Sequence, residues 1–326
     1  MATYLVTGTA GFIASKVTEL LLADGHTVVG VDNLNDAYDV RLKHWRLEQL
    51  QKHSRFEYHN QDIRDLPAMR NLFEARSEPF AGVVNLAARA GVRTSVINPW
   101  IYYETNTTGT LNLLELCRHH GVKKFVLAST SSIYGKDNPM PSQEDQDTSR
   151  PLSPYTASKK AAETLCYTYH YLYDLDVTVF RYFTVYGPAG RPDMSIFRFT
   201  KWINEGRPVR IFGDGKQSRD FTYVYDIARG TIAGLKPLGY EIINLGSDVP
   251  IVLMDAINLI EELVGKKAIL NFEARHSADV PASWADISKA ERLLGWRPQV
   301  SFHQGVSNAV DWYYDNLEWA RHLSTG

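Results

Sequence analysis

Short apolar runs alternate with longer segments of helical periodicity through the first 183 residues. After the first run, Ile13, Val17, Leu20 and Leu21 recur at the spacing of one helix face. The pattern predicts strands at 4–7, 27–32, 56–60, 82–86, 124–128 and 177–183, and helices at 12–23, 40–52, 66–76, 100–120 and 155–173. Strands that alternate with helices form parallel βαβ units with right-handed crossovers, so the predicted fold class is α/β with a doubly wound parallel sheet.

The alternation loosens after Phe183, where turn-rich segments and a C-terminal group of aromatic residues follow. We therefore expect two domains, 1–183 with the sheet and a smaller α/β domain over 184–326. The segment 237–262 is expected to return to the first domain, because 241–245 (EIINL) is typical of a further strand.

Composition narrows the possible functions. The chain of 326 residues has 35 Lys and Arg against 37 Asp and Glu, a formal net charge of −2, which disfavours nucleic acid as a partner. No apolar run approaches the ~20 residues needed to span a membrane, and the first residues lack the basic segment of a signal peptide. Cys117 and Cys166 are too few for a disulfide framework or a metal cluster, so we expect a cytoplasmic protein without a metal site.

Gly8 and Gly11 lie between the first predicted strand and the helix that begins at Phe12. Glycines in a first βα turn allow the backbone to approach a pyrophosphate, whose charge faces the helix N-terminus. Asp32 follows Gly11 by 21 residues, where a carboxylate accepts hydrogen bonds from a ribose and repels a 2′-phosphate. The alternative is an aspartate that caps a helix. Together the two signals favour NAD over NADP as the cofactor.

The ends of the third and fourth predicted strands carry two further candidate segments. Asp62 and Ile63 are expected to flank an adenine, and Leu86, Ala87 and Ala88 offer small residues where the chain passes beneath a cofactor. Taken individually, either segment is also compatible with packing or turn chemistry.

Tyr155 and Lys159 lie four residues apart near the start of the helix 155–173 and share one helix face. A lysine cation nearby stabilises a phenolate and lowers the tyrosine pKa from its usual value of about 10, which gives a general base for a hydroxyl proton. Thr130 is expected to hydrogen-bond the same hydroxyl. An amphipathic helix face is the alternative for a Tyr–Lys pair, but the glycine turn upstream favours catalysis.

Together these segments resemble the extended short-chain dehydrogenase/reductase family, in its nucleotide-sugar epimerase and dehydratase branch. The motifs that carry the resemblance cover nearly the whole chain and are Thr7 through Ala14, Asp32-Asn33, Asp62-Ile63, Leu86 through Ala88, Ser129 through Gly135, Tyr155-x-x-x-Lys159, Arg181 through Phe183, Tyr186 through Pro188, Phe212 through Gly215 and Arg219 through Phe221. Ala14 stands where the family has its third glycine, and we expect it to alter helix packing only slightly. The resemblance implies an NAD-binding Rossmann domain, a UDP-sugar-binding C-terminal domain, and a homodimer paired through the helices 100–120 and 155–173.

The resemblance also implies roles for individual residues. Catalysis is expected of Thr130, Tyr155 and Lys159. The residues expected to contact NAD are Gly8, Gly11, Phe12, Ile13, Asp32, Asn33, Lys43, Asp62, Ile63, Leu86, Ala87, Ala88, Asn106, Tyr155, Lys159, Tyr182 and Val185. Those expected to contact the UDP-sugar are Arg93, Thr130, Ser131, Ser132, Thr184, Arg191, Ile211, Phe212, Arg219, Arg275 and Asp279. Within this set Ile211 and Phe212 are expected at uracil, Arg219 at the diphosphate and Asp279 at the ribose, and either Arg275 or His276 at phosphate.

The residues after Thr130 distinguish the reactions that enzymes of this branch catalyse. Its 4,6-dehydratases have Asp-Glu there and related decarboxylases keep a glutamate nearby, whereas this chain has Ser131 and Ser132. The resemblance therefore implies C4 epimerisation through a 4-keto sugar. A non-catalytic sensor of NAD or nucleotide sugar and an RNA-binding relative are alternatives from other classes, which the intact catalytic residues and the charge balance disfavour.

Three segments are similar to UDP-glucuronate 4-epimerases, and they imply UDP-glucuronate as the sugar substrate. They are 32–36 with Tyr38, Asp39, Leu42 and Lys43, then 90–93, and then 184–194. Thr184 stands where UDP-glucose epimerases usually have asparagine, and Arg191 is the expected partner of the glucuronate carboxylate. UDP-glucose or an N-acetylated sugar is the alternative substrate, with Arg191 only packing a loop.

Overall fold

The computed structural model describes residues 1–274 and 279–326. Its strands are β1 (Thr3–Thr7), β2 (Thr27–Asp32), β3 (Phe56–Asn60), β4 (Gly82–Asn85), β5 (Lys124–Thr130), β6 (Asp176–Tyr182), β7 (Thr184–Tyr186), β8 (Pro208–Phe212), β9 (Ser218–Tyr223), β10 (Tyr240–Leu245), β11 (Pro250–Val252) and β12 (Ile269–Glu273). Its helices are α1 (Phe12–Ala23), α2 (Val40–Gln51), α3 (Leu66–Glu74), α4 (Val92–Ile97), α5 (Trp100–Tyr102), α6 (Gly109–His119), α7 (Pro154–Tyr173), α8 (Ser195–Glu205), α9 (Val224–Ala233), α10 (Leu253–Val264), α11 (Ser288–Leu294), α12 (Phe302–Asp315) and α13 (Leu317–Ala320).

Seven of the described strands form one parallel sheet in the order β10-β6-β5-β4-β1-β2-β3. The chain winds from β1 out to β3 and then crosses to β4 on the other side of β1, which is the doubly wound Rossmann arrangement. The predicted fold class is therefore confirmed. The strand order reverses between β1 and β4, and a crevice at such a reversal is where doubly wound sheets bind ligands.

Both faces of this sheet are buried, which explains the continuous apolar runs in the sequence. In β1, Leu5 packs into the core on one face and Val6 into the core on the other. In the neighbouring strand β4, Val83 packs into the first of these cores and Val84 into the second. Helices α3, α6 and α7 cover the first face, and α1, α9 and α11 cover the second.

A further core lies outside the sheet and is built by α8, α10, α12 and the short strands β7, β8 and β9. Strand β10, in the segment 237–262, pairs with β6, whereas α10, in the same segment, packs in this further core. The domain boundaries at 183 and 184 stay a prediction.

Two local features of the described chain differ from the predicted elements. The helix expected at 100–120 is interrupted by a π-helical turn over Tyr103–Thr108, and the helix α4 was not predicted. Within the described residues, no helix combines the length and the apolar character that crossing a membrane requires.

Candidate active site

A cleft of about 1330 Å³, the solvent at its mouth included, opens at the carboxyl ends of β1, β2 and β4. It lies at the strand-order reversal, where the topology favours a ligand site. Sixteen of the residues expected to contact NAD line it, namely Gly8, Gly11, Phe12, Ile13, Asp32, Asn33, Lys43, Asp62, Ile63, Leu86, Ala87, Ala88, Tyr155, Lys159, Tyr182 and Val185. The fold thus collects into one cleft residues that are far apart in the sequence.

The glycine turn between β1 and α1 has a backbone that other residues would not fit. Gly8 has φ +72°, and a Cβ there would lie 2.8 Å from the backbone nitrogen of Ala87. A Cβ on Gly11 would lie 2.7 Å from the carbonyl oxygen of Gly8. Gly11 also precedes the first turn of α1, whose free N–H groups favour an anion. This cradle fits the pyrophosphate of a dinucleotide.

Asp32 ends β2 and does not cap a helix. Its carboxylate accepts hydrogen bonds from the backbone nitrogens of Ala10, at 3.1 Å, and Leu34, at 2.8 Å. The Lys43 ammonium lies 3.9 Å from the same carboxylate. Helix α2 is capped instead by Asp39, so the geometry disfavours the capping alternative for Asp32. A buried carboxylate on the cleft wall, fixed by the glycine turn, fits a ribose.

Asn33 and Asp62 meet at the wall of the cleft. The Asn33 side-chain amide donates to Asp62 Oδ2 at 2.7 Å, and the Arg64 guanidinium also donates to this carboxylate. Burial acts to raise the pKa of Asp62, but the hydrogen bonds from Arg64 and Asn33 outweigh it and hold the pKa below its usual value. The carboxylate is therefore an ionised acceptor at neutral pH.

Asn106, also expected to contact NAD, lies behind the cleft wall. Its amide nitrogen donates to Ser158 Oγ at 2.9 Å and to the Arg89 carbonyl at 3.0 Å, and its oxygen accepts from the Arg89 backbone nitrogen at 2.9 Å. Because Asn106 lies in the π-helical turn, these bonds tie that turn to α7 and to the loop before α4. In this structure it supports the wall of the cleft.

Tyr155, Thr130 and Lys159 all line the cleft. Burial raises the pKa of Tyr155, and the interaction with the Thr130 side chain and the charge of Arg191 only partly offset this. Burial also lowers the pKa of Lys159 to about 8, while its ammonium donates to the Ala128 carbonyl at 2.8 Å. The lowered pKa expected for Tyr155 is thus not produced by these protein groups alone.

A buried ion pair supports the catalytic strand from behind. Glu163, one turn after Lys159, accepts from Ser129 Oγ at 2.6 Å and from two nitrogens of Arg181, at 3.0 and 3.2 Å. Because Ser129 precedes Thr130, the pair fixes the end of β5 against α7. The charge of Glu163 also favours the protonated form of Lys159.

Arg191 also lines the cleft, and its guanidinium is held by Asp193. Its Nε and Nη2 donate to the two carboxylate oxygens at 3.1 and 2.6 Å. Thr184 lines a smaller recess beside Arg191. Ser131 and Ser132 begin a 3-10 turn next to Thr130, whose Oγ1 accepts from the Ser132 backbone nitrogen at 3.2 Å.

The residues expected at the nucleotide form a second group. The Arg93 guanidinium pairs with the Asp279 carboxylate and lies over the Phe212 ring, 3.8 Å from its centroid. Ile211 is fully buried beneath, in the further core. Arg219 donates to the carbonyl oxygen of its neighbour Ser218 at 2.8 Å. Arg275 and His276 lie outside the described residues.

Sequence reasoning assigned no contact to two residues that shape the site, Tyr38, which was named only as part of a family motif, and Arg46, which was not named. Tyr38 lines the cleft, and Arg46 donates to its hydroxyl at 2.7 Å. A signal for Arg46 exists, because Leu42, Lys43 and Arg46 share the buried face of α2. Two cations within an apolar helix stripe indicate buried polar partners.

Comparison with known proteins identifies relatives of this chain. Residues 5–309 match the family model described as GDP-mannose 4,6 dehydratase. The chain is 59% identical over 319 residues to UDP-glucuronate 4-epimerase of Thermodesulfobacterium geofontis (strain OPF15), and the match covers 98% of each.

Solved structures resemble it over nearly its full length. UDP-glucuronic acid 4-epimerase from Bacillus cereus, in complex with UDP-glucuronic acid and NAD, is 38% identical with a TM-score of 0.89, and the match covers 96% of this chain and 99% of that one. UDP-glucose 4-epimerase from Thermotoga maritima, with UDP-glucose, is 32% identical with a TM-score of 0.89, and the match covers 97% and 99%.

Proposed function

The chain belongs to the extended short-chain dehydrogenase/reductase family, as a relative of GDP-mannose 4,6 dehydratase, and we propose that it is an NAD-dependent UDP-sugar 4-epimerase that interconverts UDP-glucuronate and UDP-galacturonate. Arg191 is the observation that carries the choice of sugar. Its guanidinium lines the cleft, and its charge acts on the Tyr155 phenol. A carboxylate that leaves water needs such a charged hydrogen-bond donor.

The cofactor proposed is NAD, held by the glycine turn at the pyrophosphate and by Asp32 at the ribose. When bound, oxidised NAD supplies a hydride acceptor and a positive charge. The carboxylate of Asp32 would repel the 2′-phosphate of NADP. We therefore expect calorimetry to give tighter binding for NAD than for NADP, and equal affinities would contradict this role of Asp32.

In the mechanism we propose, Tyr155 accepts the proton of the C4 hydroxyl as the C4–H bond gives up its hydride. C4 becomes a carbonyl, the sugar turns about its diphosphate linkage, and C4 regains the hydride on its opposite face. Tyr155 then returns the proton to the C4 oxygen. Thr130 orients the hydroxyl, and protonated Lys159 favours the phenolate form of Tyr155.

The absence of an acidic pair after Thr130 supports epimerisation over elimination of water. Ser131 and Ser132 occupy that position, and hydroxyl groups do not provide the acid and base that dehydration requires. With Thr184, they are suited to donate neutral hydrogen bonds to the sugar.

The test is to incubate the protein and NAD with UDP-glucuronate and UDP-glucose separately and to resolve the 4-epimers by anion-exchange chromatography. We expect UDP-galacturonate, with a kcat/KM at least about tenfold above that for UDP-glucose, because losing a charged partner costs about 1.5–3 kcal/mol. Equal or faster turnover of UDP-glucose would assign a neutral sugar instead. Release of carbon dioxide would assign a decarboxylase.

We also propose a homodimer formed through α6 and α7. Apolar and aromatic side chains are exposed on these helices, with Leu111 36%, Tyr167 52% and Tyr171 74% exposed. A second copy would cover them in a helix bundle. Sedimentation should give the dimer mass, and Tyr171→Glu with Tyr167→Lys should give the monomer mass; a monomeric wild type would refute the dimer.

A cytoplasmic location is proposed from the two cysteines. Cys117 and Cys166 are free and buried, and unpaired thiols suit a reducing compartment. Recovery of the protein in a membrane or secreted fraction would contradict this location.

A further inference from the structure

We propose that Arg46 is a positioning residue that holds the Arg191 loop, residues 187–193, against the glycine turn and thereby aims Arg191 at the substrate carboxylate. The inference rests on the proposed function, because it takes that carboxylate as the ligand of Arg191. Arg46 itself does not line the cleft. It acts through two segments that do.

Four hydrogen bonds connect Arg46 to the two sides of the cleft. Its Nη1 donates to the Ala10 carbonyl at 3.1 Å, within the glycine turn. Its Nε and Nη2 both donate to the Ala189 carbonyl, at 3.1 and 2.6 Å, within the Arg191 loop. The fourth bond goes to the Tyr38 hydroxyl at 2.7 Å. Arg46 is 2% exposed, so these bonds form away from solvent. One side chain therefore ties the cofactor turn to the substrate loop.

The conformation of the Arg191 loop depends on these bonds. Ala189 has φ +54°, a left-handed conformation that an alanine adopts only when its surroundings impose it. The doubly bonded Ala189 carbonyl supplies that constraint, two residues before Arg191. Asp193 then fixes the guanidinium from the other end of the loop.

Tyr38 adds a second connection between the two arginines. Its ring centroid lies 5.6 Å from the Arg46 guanidinium carbon and 5.3 Å from that of Arg191. The Lys43 ammonium lies 5.2 Å from the same centroid. Three cations thus lie within cation–π distance of one ring, whose electron-rich faces partly offset their mutual repulsion.

The charge of Arg46 suits this position. Its three acceptors are uncharged, and the charges of Arg46, Arg89 and Arg191 add to burial in lowering the pKa of Lys43. Because the acceptors of Arg46 are uncharged, its positive charge adds to the attraction of this wall for the anionic groups of a dinucleotide and a UDP-sugar. A lysine at 46 would keep the charge but could not reach all three acceptors from one planar fork.

A double-mutant cycle tests the proposal, with Arg46→Lys, Arg191→Ala and the pair. The readouts are kcat/KM for UDP-glucuronate and UDP-glucose, the dissociation constant of UDP-glucuronate by calorimetry, and the melting temperature. We expect Arg46→Lys to lower kcat/KM and weaken binding about tenfold for UDP-glucuronate, and less than about threefold for UDP-glucose. In the Arg191→Ala background the same change should alter both quantities less than about threefold.

Two further variants keep the test informative. Arg41→Lys, on the exposed side of α2, is the matched control and should leave all readouts near wild type. Tyr38→Phe keeps the ring but removes one acceptor of Arg46, and should give a smaller loss that also disappears in Arg191→Ala, even if Arg46→Lys does not fold. Additive effects in both cycles, or equal losses on the two sugars, would overturn the proposal. If wild type does not turn over UDP-glucuronate, the proposed function fails instead.

Discussion

In the half of the cleft proposed to hold NAD, the wall is formed by the glycine turn and one carboxylate at a strand end, whereas in the half proposed to hold the sugar it carries an arginine paired with an acid. Gly8, Gly11 and Asp32 represent the first half, and Arg191, paired with Asp193, represents the second; the pair Arg93–Asp279 lies outside the lining of the cleft. The first is fixed by local backbone geometry. The second depends on side chains brought together by the tertiary fold, and substitutions should separate the two.

Removal of the Tyr155 hydroxyl should have the largest effect, because this group lies where the two halves meet. We expect Tyr155→Phe to lower kcat for UDP-glucuronate by about 10²–10⁴, the usual contribution of a general base. The affinities for NAD and UDP-glucuronate, measured by calorimetry, should change little because the cradle and the arginines are intact. Turnover near that of wild type would eliminate Tyr155 as the proton acceptor.

A methyl group added at Gly8 should impair the binding of NAD and leave the proposed sugar contacts intact. Its Cβ would lie 2.8 Å from the Ala87 backbone nitrogen, in addition to the left-handed φ of +72°. We expect Gly8→Ala to weaken NAD binding at least about tenfold, as strain of about 1–3 kcal/mol is relieved only by moving the turn.

Gly25→Ala is the matched control for Gly8→Ala. Gly25 has a similar φ of +84°, but a Cβ there meets no atom within 4 Å. It should show the backbone strain without the contact, as a lower melting temperature with unchanged NAD affinity. Equal NAD affinities in the two variants would mean that the close approach to Ala87 has no role in the cofactor cradle.

The contrast between the halves also explains what the sequence could predict. The glycine turn and Asp32 were found because a strand, a turn and a helix are neighbours in the chain, so spacing alone indicates their geometry. Their expected contacts with NAD stay a prediction. In the same way the sheet was predicted from runs such as Val83-Val84, whose side chains pack on opposite faces.

Features that depend on long-range contacts were not predicted. Strands β7 and β11 have three residues each, too short to show a periodicity. The four bonds of Arg46 join residues 10, 38 and 189, and no spacing rule connects these. The raised pKa of Tyr155 reflects burial, which a tyrosine and a lysine four residues apart do not reveal.

Loss of the Arg191 charge should impair the recognition of UDP-glucuronate and leave the binding of NAD intact. We expect Arg191→Ala to lower kcat/KM for UDP-glucuronate about ten- to hundredfold, because one charged hydrogen-bond partner contributes about 1.5–3 kcal/mol. UDP-glucose carries a neutral hydroxymethyl group at the same place and should be affected much less. The test is to measure kcat/KM of wild type and Arg191→Ala on both sugars, with the NAD affinity as the control. Equal losses of kcat/KM on the two sugars would mean that Arg191 only packs the loop.

The smallest effect concerns Lys159, whose proposed role is to favour the phenolate form of Tyr155. Because burial lowers its pKa to about 8, kcat/KM should fall as pH rises through that value, by about tenfold per pH unit. In Lys159→Arg this alkaline limb should move above pH ~10, since arginine stays protonated there. A limb that stays at the same pH in Lys159→Arg would assign it to another group.

Unfolding at alkaline pH would also lower the activity. The pH dependence of the free energy of unfolding distinguishes this from deprotonation of Lys159. The pKa of Lys159 is about 8 in the folded chain and 10.5 without its surroundings, so between these values the unfolded state binds more protons at this site. The contribution of Lys159 to the free energy of unfolding therefore rises with pH, while the activity that needs its proton falls. Denaturant unfolding of wild type and Lys159→Met should accordingly show the stability advantage of the variant shrinking from pH 8 to pH 10. If that advantage grows instead, Lys159 is not the buried cation that the alkaline limb requires.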